Sequence, residues 1–111
     1  MAPELSSRRL RASVVVPTYN SADTLVACLD ALIAQDFLHD EYEIVIVDDG
    51  SHDNTADVVG RYGRGTPPVS YVRQPNQGPA SARNLGAQRA RGEILVFTDA
   101  DCVPERNWLT E

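Results

Sequence analysis

The chain has 111 residues, enough for one domain with a small core, and its 42% hydrophobic and 23% charged residues exclude a disordered polypeptide. Acidic residues number 16 against 10 basic ones, a formal charge of −6, which argues against a phosphate-backbone binder and so against a nucleic-acid partner. All ten basic residues are arginines, so chemistry that depends on lysine, such as Walker-type phosphate binding or a Schiff base, is excluded.

Residues 1–11 read as a flexible tail ahead of a domain spanning 12–111. Arg8, Arg9 and Arg11 are followed by no apolar segment of the kind a secretory signal needs, and no run anywhere approaches a membrane span. Ala12–Val16 is a continuous β-branched run, the pattern of a strand buried on both faces. Asn20 and Ser21 are helix N-cap types, and Leu25, Leu29, Leu32 and Ile33 recur at helical spacing, which predicts an amphipathic helix over 22–35. Glu43–Val47 is a second buried strand, closed by the turn Asp48-Asp49-Gly50-Ser51. A helix is predicted over Asp53–Tyr62, stopped by Gly63, and a short strand over Val69–Val72. Pro79 suits a first helical position and Gly92 a C-terminal stop, which places a third helix over 79–91 before a fourth strand, Glu93–Thr98. A further helix is expected over Pro104–Glu111, with Trp108 packing its start.

The order βαβαβαβ with short connections specifies an α/β fold, a three-layer Rossmann-like parallel sheet with helices on both faces. Such sheets bind ligands outside the carboxyl ends of their strands. Those ends carry Pro17-Thr18-Tyr19-Asn20, Asp48-Asp49, Gln74-Pro75-Asn76-Gln77-Gly78 and Asp99-Ala100-Asp101. In an extended segment the Asp99 and Asp101 carboxylates point the same way, and two carboxylates at the mouth of a sheet suit Mg²⁺ or Mn²⁺ with open positions for phosphate oxygens. The alternative is a solvated acidic turn or an N-cap. Asp48 and Asp49 likewise either close a turn or offer one carboxylate to a ligand N–H; adjacent like charges would then point in different directions. Arg83 lies one turn into the third helix, whose N-terminus favours anions, and could reach a phosphate or a base; it could equally be a surface arginine. Tyr19 either stacks on a base or is a partly exposed loop residue. Gly86 inside the helix either packs tightly or makes room for a ligand. Cys28 and Cys102 match no metal spacing and read as small reduced residues, and His39 and His52 as surface residues.

Four blocks taken together resemble one family: Val14–Asn20, Val47–Thr55, Gly78–Gly86 and Phe97–Asp101. They are similar to the nucleotide-binding half of the family 2 glycosyltransferases, and the resemblance covers about residues 12–110. It implies the N-terminal half of the A-type glycosyltransferase fold and an inverting transfer from a nucleoside-diphosphate sugar, a UDP-sugar for preference, to an acceptor that is a saccharide, lipid or protein. It implies Pro17 and Tyr19 in the base and ribose pocket and a base N–H accepted by Asp49. It also implies a nucleotide contact from Arg83, and Asp99 and Asp101 as the D-x-D pair holding Mg²⁺ or Mn²⁺. Asn20 and Asp48 complete the nucleotide-binding set drawn from the matching blocks. The general base is expected beyond Glu111, so the chain is expected to be a truncated, donor-binding part of a cytoplasmic enzyme, any membrane attachment coming from other regions. The alternative is a non-catalytic nucleotide-binding or interaction module derived from such an enzyme.

Overall fold

The computed structural model describes residues 10–63 and 65–110. In chain order the elements are β1 (Ala12–Thr18), α1 (Ala22–Ile33), β2 (Tyr42–Asp48), α2 (Thr55–Gly60), β3 (Val69–Arg73), α3 (Pro79–Arg89) and β4 (Ile94–Phe97). The seven elements and their order match the sequence reading, and the strands form one parallel sheet in the order β3-β2-β1-β4.

Strand alternation divides the core in two. Val14, Val16, Ile44 and Ile46 face one side, against Leu25, Leu29 and Leu32 of α1 and Val58 and Val59 of α2. Val15, Val45 and Val47 face the other, against Ala82 and Leu85 of α3. The unbroken apolar runs of β1 and β2 therefore follow from being covered on both faces. Gly86 is a packing residue: a Cβ there would stand 2.3 Å from Val15 Cγ1 and 3.1 Å from Val47 Cγ2. α3 thus lies closer to the sheet than any side chain at that position permits.

A polar staple ties β4 to the sheet at its start. The buried Glu43 carboxylate accepts hydrogen bonds from Ser13 Oγ (2.7 Å) and the Arg91 amide (2.6 Å) and pairs with the Arg91 guanidinium at 3.3 Å. Gly92 N in turn donates to Ser13 Oγ at 2.7 Å. A Cβ on Gly92 would lie 2.5 Å from the Ala12 carbonyl carbon, so its glycine answers to the approach of β1 rather than to a helix stop; α3 has already ended at Arg89.

Two sequence expectations are corrected. The tail expected over 1–11 falls largely outside the described residues, but Leu10 and Arg11 are bonded: their carbonyls accept from the Glu93 and Ile94 amides. The segment from Pro104 forms successive turns over 106–110 instead of a helix. Gln35 takes up the backbone groups a helix would have used, donating to the Glu105 carbonyl (2.6 Å) and accepting from Leu109 N (2.9 Å). Trp108 and Leu109 consequently pack on the α1 side of the core. Among the described residues no helix is long and apolar enough to cross a membrane.

The chain runs β1, β2, β3 in one direction and then returns over α3 to place β4 on the other side of β1. The strand order reverses between β1 and β4, and the crevice of such a sheet opens outside the carboxyl ends at that point.

Candidate functional site

Two adjoining clefts open at this reversal. One, of about 350 Å³, is lined by Pro17, Tyr19, Asp49, Asn76, Gly78 and Asp99, among others. Its neighbour, of about 580 Å³, is lined by Arg83 and Asn84 of α3 and by Phe97 and Asp99 at the end of β4. Asp99 belongs to both. The helical spacing of Ala80, Arg83, Asn84 and Ala87 makes one face of α3 the wall of the larger cleft.

The paired aspartates after β2 part company, as expected from their charges. Asp48 follows the α1 face of the strand, where it accepts from the Ser51 amide (2.8 Å) and the Tyr71 hydroxyl and pairs with Arg73 at 3.4 Å. It lines neither cleft. Burial and this hydrogen bond to Asp48 raise the Tyr71 phenol above its ordinary value. Asp49 turns to the α3 face and lines the smaller cleft. Its Oδ1 accepts from Gln74 Nε2 and Gln77 N, both at 2.8 Å, and its Oδ2 from Gly78 N (3.0 Å) and Asn76 Nδ2 (3.2 Å). Burial alone would raise the Asp49 carboxyl, but the Gln74 side chain and the Gln77 and Gly78 amides hold it below the usual carboxylate range. Asp49 is thereby the anchor of a strap, residues 74–78, that leads into α3. Gly50 backs the strap at φ 81°, and a Cβ there would lie 2.9 Å from Asn76 N.

Asn20 takes a joining role. In the left-handed region at φ 49°, it accepts from the His52 amide through Oδ1 (2.7 Å) while its own amide donates to Ser51 Oγ (2.8 Å). This ties the loop after β1 to the loop after β2, and the Asn20 side chain lines neither cleft. The N-terminus of α1 is capped by neither Asn20 nor Ser21 but by Asp53, whose Oδ2 accepts from Ala22 N at 3.1 Å. The Thr55 hydroxyl, against the effect of burial and with the Ala22 and Thr55 amides, lowers the Asp53 carboxyl as well.

Asp99 and Asp101 converge, though by a turn rather than by the strand alternation expected from sequence. The Asp99 carbonyl accepts from Cys102 N (3.1 Å) and from the buried Cys28 thiol (3.6 Å), and Ala100 is buried beneath. The result brings one oxygen from each carboxylate and the Cys102 sulfur within 4.8 Å of one another, all three residues exposed. Hard carboxylate oxygens fit Mg²⁺ or Mn²⁺, and the thiol adds a softer donor. Cys102 was not visible as a candidate in the sequence because nothing in its spacing marks a ligand. Cys28 differs: burial, then the negative groups around it at Cys102, Asp101 and Asp99, push its thiol up to about 12.

The comparisons with known proteins agree on one family. The family model described as "Glycosyl transferase family 2" matches residues 13–111. The chain belongs to glycosyl transferase family 2. It is 35% identical over 98 residues to Glycosyltransferase AglE of Haloferax volcanii, covering 87% of this chain and 32% of that protein. The structure of residues 1–349 of TarS from Staphylococcus aureus in complex with UDP-GlcNAc superposes with a TM-score of 0.86 at 35% identity, covering 91% of this chain and 29% of that one. A mannosyltransferase from Pyrobaculum calidifontis in complex with GDP-Man and Mn²⁺ gives a TM-score of 0.81 at 38% identity, covering 90% and 30%. The chain thus spans about a third of the length of these relatives. Its parallel sheet matches the A-type glycosyltransferase fold of these relatives.

Proposed function

We propose that this chain is the donor-binding part of an inverting glycosyltransferase that takes a nucleoside-diphosphate sugar, preferably a UDP-sugar, with Mg²⁺ or Mn²⁺. The observation that carries the reading is the pair of clefts at the strand-order reversal, with Asp49 and Asp99 in one, Arg83 and Asp99 in the other. The relatives' complexes with UDP-GlcNAc and with GDP-Man and Mn²⁺ support it.

In this reading Tyr19, half-exposed at the mouth of the smaller cleft, stacks on the base, and Pro17 borders base and ribose. Asp49 and the strap it anchors fix the polar groups around the base. Asp99 reaches ribose, and Asp99 with Asp101 would hold the cation. A bound divalent ion supplies charge neutralisation for the leaving diphosphate. Arg83, with no ion-pair partner among the described residues, meets the diphosphate from the α3 wall, and preorganised positive charge there favours departure of the nucleotide. Asp48 and Asn20 act behind the site by fixing its loops. The acceptor is a saccharide, lipid or protein hydroxyl, and we assign its general base to no residue of the two clefts. A cytoplasmic site would meet the nucleotide-sugar pool.

Calorimetric titration with UDP, GDP and ADP, each with and without Mn²⁺, tests the reading. Binding strengthened by Mn²⁺ and strongest for one nucleotide is the expected result. No heat with any of them, or the same heat with and without the ion, overturns it.

A further inference from the structure

The chain's two cysteines stand far apart in sequence, one on α1 and one just after β4, yet both meet a single carbonyl. The Asp99 carbonyl accepts from the Cys28 thiol at 3.6 Å and from the Cys102 amide at 3.1 Å. Both side chains are free thiols; Cys28 has no exposed surface, and Cys102 is exposed. Among the negative groups that act on Cys28, Cys102 comes ahead of Asp101 and Asp99. The Cys102 sulfur also lies within 4.8 Å of one oxygen each of Asp99 and Asp101. One thiol therefore sits beneath the turn that presents the two carboxylates, and the other beside the carboxylates themselves. The turn is held by β4 before it and by Gln35 after it, through the Glu105 carbonyl and the Leu109 amide. Cys102 and Val103, between these anchors, are exposed, whereas Cys28 is fixed in the core by α1. A disulfide sets its Cα atoms about 4.4–6.8 Å apart, and the exposed turn is the side that adjusts to it.

We propose that Cys28 and Cys102 form a reversible disulfide that turns down the cation site at Asp99 and Asp101; this rests on the reading above of those aspartates as the pair that holds the divalent ion. The oxidant is a peroxide. Cys102, the exposed thiol, reacts first: its sulfur attacks one peroxide oxygen, the O–O bond breaks, and a sulfenic acid and water form. The Cys28 sulfur then displaces hydroxide from the Cys102 sulfur. The S–S bond forms as the S–O bond breaks, and the Cys28 thiol proton leaves with the hydroxide as water. In total the two thiols lose two electrons, and one hydrogen peroxide becomes two waters. A dithiol reductant reopens the bridge by exchange. The bridge draws the Cys102 sulfur away from the carboxylates and removes the thiol bond to the Asp99 carbonyl. Losing a contact that orients a metal-binding carboxylate typically costs about tenfold to a hundredfold in metal affinity.

The test treats the chain with excess hydrogen peroxide, removes the peroxide, and maps the peptides by mass without reduction. The expected product is a Cys28 peptide linked to a Cys102 peptide within one chain. Calorimetric titration of UDP with Mn²⁺ should then show the Mn²⁺-dependent gain in affinity reduced by about tenfold or more, and dithiothreitol should restore it. Cys28→Ala, its folding confirmed by circular dichroism, removes the second thiol. In that variant peroxide should carry Cys102 on to sulfinic acid, which dithiothreitol does not return to the thiol. Two unlinked cysteines in the oxidised wild type overturn the inference without the variant, as does a link formed only between chains. So does a bridge that leaves the Mn²⁺-dependent gain unchanged, or a Cys102 thiol recovered as fully in Cys28→Ala as in the wild type. In each of these cases the cation reading itself stands. A reduced wild type that gains nothing from Mn²⁺ overturns the cation reading and this inference with it.

Discussion

Asp99 sits exposed at the shared lip of the two clefts, with a carboxylate oxygen of the exposed Asp101 and the Cys102 sulfur close to its own. Because they are exposed, their removal costs the fold little. Asp99→Asn with Asp101→Asn should leave the unfolding midpoint within a degree or two and abolish the Mn²⁺-dependent gain in UDP affinity; a retained gain would refute their role. Cys102→Ser should weaken Cd²⁺ relative to Mg²⁺ and leave Mg²⁺ little changed, because a thiolate favours the softer ion. Asp49 and Asp53 answer to pH instead. Both carboxyls are held below their ordinary value in the folded chain. A depressed folded value means that their stabilisation is complete above the unfolded carboxylate pKa of about 3.9 and is lost as pH falls through the folded value. Denaturant titrations from pH 7 down to pH 2 should show stability falling chiefly below about pH 4. Asp49→Asn should flatten part of that fall, and an unchanged profile would show that the strap bonds contribute nothing.

The elements differ in how plainly their residues announce them. β1 and β2 were readable because a strand covered on both faces needs an unbroken apolar run, and α1 because its leucines repeat at helical spacing. Asp49 and Asp99 were readable as carboxylates just past strand ends for the same reason: the apolar runs before them were plain. The division of labour between Asp48 and Asp49 was not, since it depends on which face each side chain takes once the strand is paired. Nor was the bonding of Asn76, which spans 27 residues. The turns after Pro104 depend on Gln35, about 70 residues away, which local propensity cannot see. Gly86 lies between these cases, with its two readings separated only by the valines of the sheet below. Gly86→Ala puts a methyl against Val15 and Val47 and should destabilise the fold by about 1–3 kcal/mol, despite the better helix propensity of alanine. A denaturant midpoint at or above that of the wild type would show that α3 has room to lift from the sheet.

At the scale of the whole molecule the sheet has two edge strands, β3 and β4, and they differ in how much apolar surface they expose. β2 and most of β1 are buried, whereas β4, which among the described residues pairs only with β1, leaves Ile94, Leu95 and Phe97 exposed at 60%, 41% and 43%. Register assigns these residues to both faces: Ile94 lies opposite Ala12, on the α1 side, while Leu95 and Phe97 lie opposite Ser13 and Val15, on the α3 side. A strand apolar on both faces, with an unpaired outer edge, is a template for further pairing. The net charge of −6 opposes association over distances shorter than about 10 Å at moderate salt. Raising the salt concentration screens that repulsion and strengthens apolar burial, so both effects point the same way. Sedimentation equilibrium should therefore show an apparent mass that rises with protein concentration and rises further in 1 M sodium chloride. Ile94→Lys with Leu95→Lys should return it to the monomer value at both salt concentrations by placing charge on each face of the edge. Both positions lie away from the residues assigned to the nucleotide, so UDP affinity in the variant should match that of the wild type. A wild type that stays monomeric at high salt would show that the exposed edge does not drive association, whatever its composition.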